Sequence, residues 1–257
     1  MRTGTTHEPL MIDATARQGG GSGGGPLPDR FVVTIDGQAS TGKSSVGQKL
    51  ARRLHAAFLD TGAMYRAVTA LCIDRGVSTS DDDAVLELAR QADISFDWSS
   101  FPPKLHAFGV SIADKLRSSA VDGQVSVVAA IGPVREHLVQ LQRWTTHQRP
   151  RLVTEGRDQG TIVFPDAMAK FFLVADPEER ARRRCAQNPG ADYDAILRNL
   201  IDRDRRDSSR AVGPMAVAPD AAVIDTTRMT EEQVVDHLES LVRAAASRRA
   251  ARGGGGH

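Results

Sequence analysis

Cysteine and long apolar runs are scarce in this sequence. Only Cys72 and Cys185 occur among its 257 residues, and they lack the paired spacing of a metal site. Neither a structural disulfide nor a zinc site is therefore expected, and the expected compartment is a reducing cytoplasm. No apolar stretch approaches the roughly 18 residues of a membrane-spanning helix. The opening letters, MRTGTTHEPL, lack the apolar segment of a secretory signal, so we expect neither export nor a membrane partner.

A strong net charge is also missing. The 33 Lys and Arg residues nearly balance the 32 Asp and Glu residues, which leaves a formal net charge of +1. A chain without excess positive charge sets up no strong field toward nucleic acid, and no helix-turn-helix or zinc-finger pattern occurs. We therefore expect no nucleic-acid partner. The arginines are clustered, however, and their positions carry more information than their number.

Glycine and serine are concentrated at the two ends of the chain. Residues 1–28 end in RQGGGSGGGPLP, and the last residues read RGGGGH. Segments of this composition bury too little apolar surface to fold, so disordered tails are predicted at 1–28 and 251–257. The whole chain is 40% hydrophobic and 25% charged, which suits one globular domain. We expect that domain to span residues 29–250.

Short apolar segments alternate with segments of helical spacing. The predicted strands are 31–35, 56–62, 151–156, 169–175 and 221–226. The predicted helices are 44–55, 63–76, 127–148, 177–187, 192–210 and 230–250. In the first helix Val46, Leu50 and Leu54 fall on one face, and Thr230 is a suitable N-cap for the last one. This alternation predicts an α/β fold with three layers, α/β/α, around a five-stranded parallel sheet, whose ligands gather at the carboxyl ends of the strands.

The segment IDGQASTGKSS, residues 35–45, has the spacing of a phosphate-binding loop. It lies between a predicted strand and a predicted helix, as binding by backbone N–H groups and a helix N-terminus requires. Lys43 is expected to reach the β- and γ-phosphates of ATP, and the Ser44 hydroxyl to bind Mg²⁺. The predicted ATP-binding residues are Gly37, Gln38, Ala39, Ser40, Thr41, Gly42, Lys43, Ser44 and Ser45.

Four further motifs follow the phosphate loop. They are LDTGAMYRAV (59–68), VSVVAAIGPVREHLVQLQR (125–143), TEGRDQGTIVFPDAMAKFFLVADPEERARRR (154–184) and RDRRDSSRAVGPM (203–215). In this order they closely resemble the bacterial cytidylate kinases, a branch of the nucleoside monophosphate kinases, over nearly all of residues 31–243. The resemblance implies a monomer with a P-loop α/β core, an acceptor-binding insert at about 61–150 and a short lid at about 180–195. It also implies Mg²⁺-dependent phosphoryl transfer from ATP to CMP or dCMP.

The resemblance implies roles for particular acceptor-side residues of this sequence. Those implied to grip the α-phosphate of the acceptor are Arg66, Arg157 and Arg210. Those implied to read the cytosine are Ser126, Arg135 and Asp158. Arg203 and Asp207 are implied to hold the sugar, and Asp60 and Tyr65 to shape the pocket. The chain departs from the family pattern at Gln159, where an apolar residue is common.

The chemistry of the residues agrees with these roles. Phosphoryl transfer brings two polyanions together, and its loose transition state needs positioning and charge neutralisation more than a strong base. Arginine suits that task because its planar fork stays protonated and binds two phosphate oxygens. The expected catalytic groups are Lys43, Arg157 and, in the lid, Arg180 or Arg184. A carboxylate such as Asp158 can accept from the N4 amino group of cytosine but repels the oxygen of uracil.

Other interpretations stay open. The arginines at 182–184 follow Glu178 and Glu179 at helical spacing and could be surface ion pairs, while Asp204 and Arg206 are expected on a solvated face. The acceptor could instead be UMP or a shikimate-like metabolite on the same fold. A non-catalytic module that binds a nucleotide or RNA is the alternative from another class, and it predicts a steep salt dependence of RNA binding.

Overall fold

The computed structural model describes residues 26–253. The tail predicted at 1–28 lies outside the described residues except for its last three, and Leu27 among these packs against the core. The last helix runs to Gly253 and so includes the first three residues of the tail predicted at 251–257. The remainder of that tail lies outside the described residues.

Five parallel strands form the central sheet. Their bounds are β1 Phe31–Gly37, β2 Ala57–Asp60, β6 Arg151–Glu155, β7 Ala169–Val174 and β8 Ala222–Asp225. The spatial order is β2-β6-β1-β7-β8, and every neighbouring pair is parallel. All five predicted strands are confirmed, and with them the α/β fold built on a five-stranded parallel sheet.

Helices flank this sheet. Their bounds are α1 Lys43–Arg53, α2 Thr61–Arg75, α3 Asp82–Gln91, α4 Ser119–Val128, α5 Gly132–Gln148, α6 Pro177–Gln187, α7 Tyr193–Ser209 and α8 Glu231–Gly253. The predicted cap of α8 is present, because the backbone N–H of Gln233 donates to Thr230 Oγ1 while the side chain of Gln233 accepts from the backbone N–H of Thr230. Within residues 26–253 no helix combines the length and the apolar character needed to cross a membrane.

One hydrophobic core joins α1 and α8 to the sheet. Val46, Leu50 and Leu54 are all buried in it, as their spacing predicts. The side chain of Val235 from α8 packs in the same cluster. At the edge of this contact Arg53 Nη1 lies 3.2 Å from Glu239 Oε2. The helix that starts at the phosphate loop is therefore held on both its apolar and its polar sides.

A second hydrophobic core is formed by the part of the chain that lies between β2 and β6 in the sequence. It is built by α2 to α5 together with a small antiparallel sheet of β3 Ser95–Asp97, β4 Lys104–Ala107 and β5 Val110–Ser111. The single helix predicted at 127–148 is wrong, because α4 ends at Val128 and α5 begins at Gly132. Pro133 in the first turn of α5 lacks an N–H group and sets the start of a new helix.

The carboxyl ends of three strands meet at one edge of the sheet. Gly37 ends β1, Asp60 ends β2 and Glu155 ends β6, and Asp60 stands opposite Glu155 in the strand register. This is the arrangement that the sequence predicted, and it brings three motifs that are distant in the chain to the same place.

Gly37 tolerates no side chain. Its φ is 138°, and a β-carbon there would lie 2.1 Å from the carbonyl oxygen of Leu173 in the neighbouring strand. We expect Gly37→Ala to lower the free energy of unfolding by about 3 kcal/mol or more, because a backbone atom has to move. Gly76→Ala is the control, since Gly76 has φ 66° but open space around it, and should cost about 1 kcal/mol. Urea unfolding measures both, and equal losses would contradict the close strand contact.

Asp36 ties the end of β1 to the turn after β6. Its carboxylate accepts from the backbone N–H groups of Gln159, at 2.9 Å, and Gly160, at 2.7 Å. Burial is the main cause that raises the pKa of Asp36 from 3.8 to about 6. Between these two values the folded state binds more protons than the unfolded state, so the stabilisation is complete below pH 3.8 and is lost as the pH rises through 6.

Asp36→Asn removes this titration. We expect the free energy of unfolding of the wild type, minus that of the variant, to fall by about 1–3 kcal/mol as the pH rises from about 4 to about 7. Urea unfolding at several pH values within this window gives the slope. A difference that is flat or that rises with pH would show that Asp36 is not buried as a raised-pKa carboxyl group.

Candidate active site

The phosphate loop links β1 to α1 through two residues with left-handed backbone. Ser40 has φ 62° and Gly42 has φ 91°, and α1 begins at the next residue, Lys43. The Lys43 ammonium group is buried, donates to the carbonyl oxygen of Gln38 and lies 3.5 Å from Thr41 Oγ1. The lysine is therefore bonded to its own loop, at the N-terminus of a helix whose positive end favours anions.

Burial shifts the pKa values of Lys43 and Glu155, two charged groups beside the loop. Burial, and then the charge of Arg157, lowers the pKa of Lys43 well below its ordinary value. Burial, and then the nearby Asp60 carboxylate, raises the pKa of Glu155. Glu155 Oε1 is buried and has no hydrogen-bond partner. Within residues 26–253 no group of three or more His, Cys, Asp and Glu side chains is placed to hold a metal ion.

Arg180 is a clamp beneath the phosphate loop. It is 1% exposed, and its guanidinium group donates to the carbonyl oxygens of Ala175, at 3.1 Å, and Ala39, at 3.2 Å. Its third partner is Asp204 Oδ2, at 2.6 Å. The backbone N–H of Ala39 donates in turn to Asp204 Oδ1 at 3.4 Å. The expectation that Asp204 lies on a solvated face is wrong, because the partly buried carboxylate is held by Arg180, whereas Arg206 is exposed as expected.

Three arginines surround Asp207 near the end of α7. The carboxylate of Asp207 lies 2.9 Å from Arg157 Nε, 4.0 Å from Arg203 Nε and 3.9 Å from Arg210 Nη2. Burial alone would raise the pKa of Asp207, but the charges of the three arginines lower it below its ordinary value. Burial, and then Arg157, lowers the pKa of Arg203 to about 10. One carboxylate thus supports three partly desolvated cations.

Arg135 and Asp158 form a buried ion pair. Their side chains are 4% and 6% exposed, and Arg135 Nη2 donates to Asp158 Oδ2. The guanidinium group of Arg135 also lies 5.3 Å from the centre of the Tyr65 ring. Burial is the main cause that raises the pKa of the Tyr65 hydroxyl to about 12. Gly213, with φ 63°, packs directly against this guanidinium group, because a β-carbon there would meet Arg135 Nη2 at 2.2 Å.

Arg66 and Arg184 approach one another from separate parts of the fold. Arg66 belongs to α2 and donates to the carbonyl oxygen of Leu116 at 3.1 Å. Arg184 is in the last turn of α6. Of the other two arginines in that run, Arg182 and Arg183 pair with Glu179. The surface ion-pair interpretation therefore fits these two residues, whereas Arg184 is directed elsewhere.

Most of these groups line one cleft of about 1660 Å³. It opens between the phosphate loop, the α2–α5 region and the α6–α7 pair. Buried side-chain atoms on its walls that have no hydrogen-bond partner are Tyr65 Oη, Asp122 Oδ1, Glu155 Oε1, Arg203 Nε and Arg210 Nη2. Among these, Asp122 Oδ1, Arg203 Nε and Arg210 Nη2 have ion-pair contacts that fall outside hydrogen-bond geometry. Unpaired buried polar groups are rare in folded proteins and indicate a site that a ligand completes.

The structure brings most of the predicted site residues to the walls of this cleft. Ser44, Ser45, Asp60 and Ser126 lie there together with the arginines and acids described above. The predicted residues that do not line it are Gly37, Gln38 and Arg180. Three further residues support the site although they were not among the predicted site residues, namely Asp122, Asp204 and Gly213. Asp122 and Asp204 pair with arginines that are remote from them in the chain. Gly213 matters because its φ is 63° and a side chain there would meet Arg135.

Comparisons with known proteins agree on one family. A family model described as Cytidylate kinase matches residues 33–244. The cytidylate kinase of Mycobacterium avium (strain 104) is 47% identical over 216 residues, which cover 82% of this chain and 95% of that protein. The cytidylate kinase of Limosilactobacillus fermentum is 44% identical over 215 residues, with 82% and 94% of the two chains covered.

A solved gluconokinase from Sinorhizobium meliloti 1021 aligns with 87% of this chain and 96% of its own, at a TM-score of 0.44 and 15% identity. A likeness at that level adds nothing to the assignment. The family model and the curated relatives carry it, because each extends over most of the chain. The resemblance predicted from five motifs is therefore confirmed, and the chain belongs to the cytidylate kinase family.

Proposed function

We propose that this chain transfers the γ-phosphoryl group of ATP to CMP or dCMP, giving ADP and CDP or dCDP. The observation that carries the proposal is the single cleft in which arginines from α2, the loop after β6, α6 and α7 stand opposite the phosphate loop. Its volume of about 1660 Å³ exceeds the roughly 300–1,000 Å³ of a pocket for one small ligand. Two nucleotides therefore have room to meet there.

The donor side is the phosphate loop. Lys43 would exchange its bond with the Gln38 carbonyl oxygen for oxygens of the β- and γ-phosphates, which restores a strong partner to a desolvated ammonium group. Ser44 is the proposed protein ligand of Mg²⁺. The unpartnered and buried Glu155 Oε1 beside the partly buried Asp60 fits a nearby divalent cation, because such a cation relieves the repulsion of the two carboxylates. When bound, Mg²⁺ neutralises charge on the phosphate oxygens.

The acceptor phosphate is proposed to bind Arg66, Arg157 and Arg210. Arg210 Nη2 is buried and lacks a hydrogen-bond partner, so it has a donor available. Arg157 uses Nε for Asp207 and Nη1 for the Gly156 carbonyl oxygen, which fixes its plane and leaves Nη2. Arginine holds phosphate best in such a preset orientation, because less side-chain freedom is lost on binding.

The acceptor base is proposed to lie against Ser126, Arg135 and Asp158. Asp158 Oδ2 accepts a hydrogen bond from Arg135. Asp158 Oδ1 can then accept from the N4 amino group of cytosine. Arg135 lies against the Tyr65 ring and close beside Gly213, so its donors keep one direction toward N3 or O2 of the base. The sugar would lie between the base site and the pair Arg203 and Asp207, with Asp60 and Tyr65 at the pocket wall.

Charge neutralisation during transfer is proposed for Lys43, Arg157 and Arg184. Arg183 and Arg184 both line the cleft, but Arg183 is bonded to Glu179 and to the carbonyl oxygen of Thr226, which leaves Arg184 as the candidate. Arg180 was the other sequence candidate, but its guanidinium group is buried and bonded to Ala39, Ala175 and Asp204. We assign Arg180 to positioning the phosphate loop, because it has no route to a phosphate without breaking those bonds.

The proposal is tested by measuring ADP release with CMP, dCMP, UMP and AMP as acceptors, with and without Mg²⁺. We expect CMP and dCMP to exceed UMP by tenfold or more in kcat/KM, because uracil places an oxygen against Asp158 and leaves the second oxygen of this buried carboxylate without a donor. A preference for UMP or AMP would reject the acceptor assignment. Absence of transfer together with tight, salt-sensitive RNA binding would favour the alternative function.

Asp158→Asn separates the acceptor base site from the donor site. The variant keeps the shape of the side chain but loses its charge, so we expect kcat/KM for CMP to fall by about 10- to 100-fold while ATP binding changes less than about twofold. Asp220→Asn serves as the control, because that carboxylate is 65% exposed and pairs with Lys170 away from the cleft. Calorimetric ATP titration and steady-state kinetics supply the two numbers. Equal losses of ATP and CMP affinity would show that the base pocket lies elsewhere.

A further inference from the structure

Asp122 stands between two arginines that belong to different parts of the enzyme. It lies in the first turn of α4 and lines the cleft. Its Oδ1 is 2.7 Å from Arg66 Nη1, and its Oδ2 is 3.0 Å from Arg184 Nη2. The carboxylate therefore spans from the acceptor side of the cleft to the end of the lid helix α6, using one oxygen for each side.

Each arginine keeps donors that the carboxylate does not use. The short contacts of Arg66 with Asp122 and with the Leu116 carbonyl oxygen both involve Nη1, so Nε and Nη2 remain. Arg184 meets Asp122 through Nη2 alone. Asp122 thus sets the direction of both guanidinium groups. Each group still has a pair of N–H donors that can bind two phosphate oxygens.

Charge explains why an acid is needed at this place. Arg66 and Arg184 are like charges drawn into a cleft that already contains Arg157 and Arg203, and they repel one another unless an anion lies between them. The charge of Asp122 also acts on Arg203, where it partly offsets the lowering of the pKa by burial and Arg157. Without Asp122, the lid arginine would have no anionic partner on the acceptor side until a nucleotide arrived.

We propose that Asp122 is a positioning residue that docks the lid on the acceptor side by joining Arg184 to Arg66. This rests on the proposed function, since Arg184 is useful to the reaction only where phosphoryl transfer takes place. Asp122 touches no reacting atom in this account. It acts through Arg184, which it holds over the point where the donor and acceptor phosphates meet, so its contribution belongs to turnover more than to acceptor binding.

A competing account treats the same carboxylate as an obstacle. An acid that occupies Arg66 would compete with the acceptor phosphate, and its removal would then lower KM for CMP and leave kcat unchanged. The two accounts predict different kinetic constants for one variant, Asp122→Asn, which keeps the size and the helix position of the side chain.

The first test is the steady-state kinetics of Asp122→Asn with CMP at saturating ATP. We expect kcat to fall by about fivefold to tenfold, because the ion pair that holds Arg184 is lost, and KM for CMP to change by less than about threefold, because Arg66 keeps its bond to the Leu116 carbonyl oxygen. Asp74→Asn is the matched control, since its carboxylate pairs with Lys115 in the same region but outside the cleft, and it should leave both constants unchanged. An unchanged kcat, or a lower KM with unchanged kcat, overturns the proposal.

The second test asks whether Asp122 acts through Arg184. Arg184→Gln should reproduce the fall in kcat, and adding Asp122→Asn to it should lower kcat no further. Effects that multiply in the double variant overturn the proposal. Thermal unfolding of the same four proteins without substrate tests the contact itself, and the two shifts in Tm should not add. Wild-type turnover of CMP is measured first, so that a failure of the proposed function shows there, while additive Tm shifts refute the docking contact alone.

Discussion

Repulsion between guanidinium groups is the constraint around which this cleft is built. Arg157, Arg203 and Arg210 approach one another near the end of α7, and burial removes much of the water that would screen them. Asp207 sits among them and keeps its charge because of them. A single buried ion pair, between Asp158 and Arg135, compensates charge in the same way. A fold that gathers arginines for two phosphate chains has to carry internal anions, since the guanidinium groups would otherwise repel one another and disperse.

Two charged groups beside the phosphate loop are only partly compensated by protein partners. Lys43 is desolvated and bonds only atoms of its own loop, while Glu155 is buried with an unpartnered oxygen beside Asp60. Each group lacks a partner that a triphosphate with a divalent cation would supply. Ligand binding therefore relieves desolvation that folding imposed, and part of the binding free energy is prepared in the protein beforehand.

Much of this architecture could be predicted from the sequence, because it depends on local pattern. β-branched apolar runs gave the five strands, and Gly37, Gly42 and Lys43 marked the loop that must follow the first of them. The break between α4 and α5 was missed although Pro133 signals it, because the apolar spacing continues across the break. The role of Asp204 could not be predicted, since its partners Arg180 and Ala39 come from elements that only the fold brings together. Chain spacing carries no information on such contacts.

The Arg180 clamp has a mechanical consequence. A single buried guanidinium group joins the end of β7 to the phosphate loop at Ala39 and to α7 at Asp204. Because α7 also carries Arg203 and Asp207, this one guanidinium group ties the phosphate loop to the helix that presents those two side chains to the cleft. The position of the loop and the position of that helix are therefore not independent.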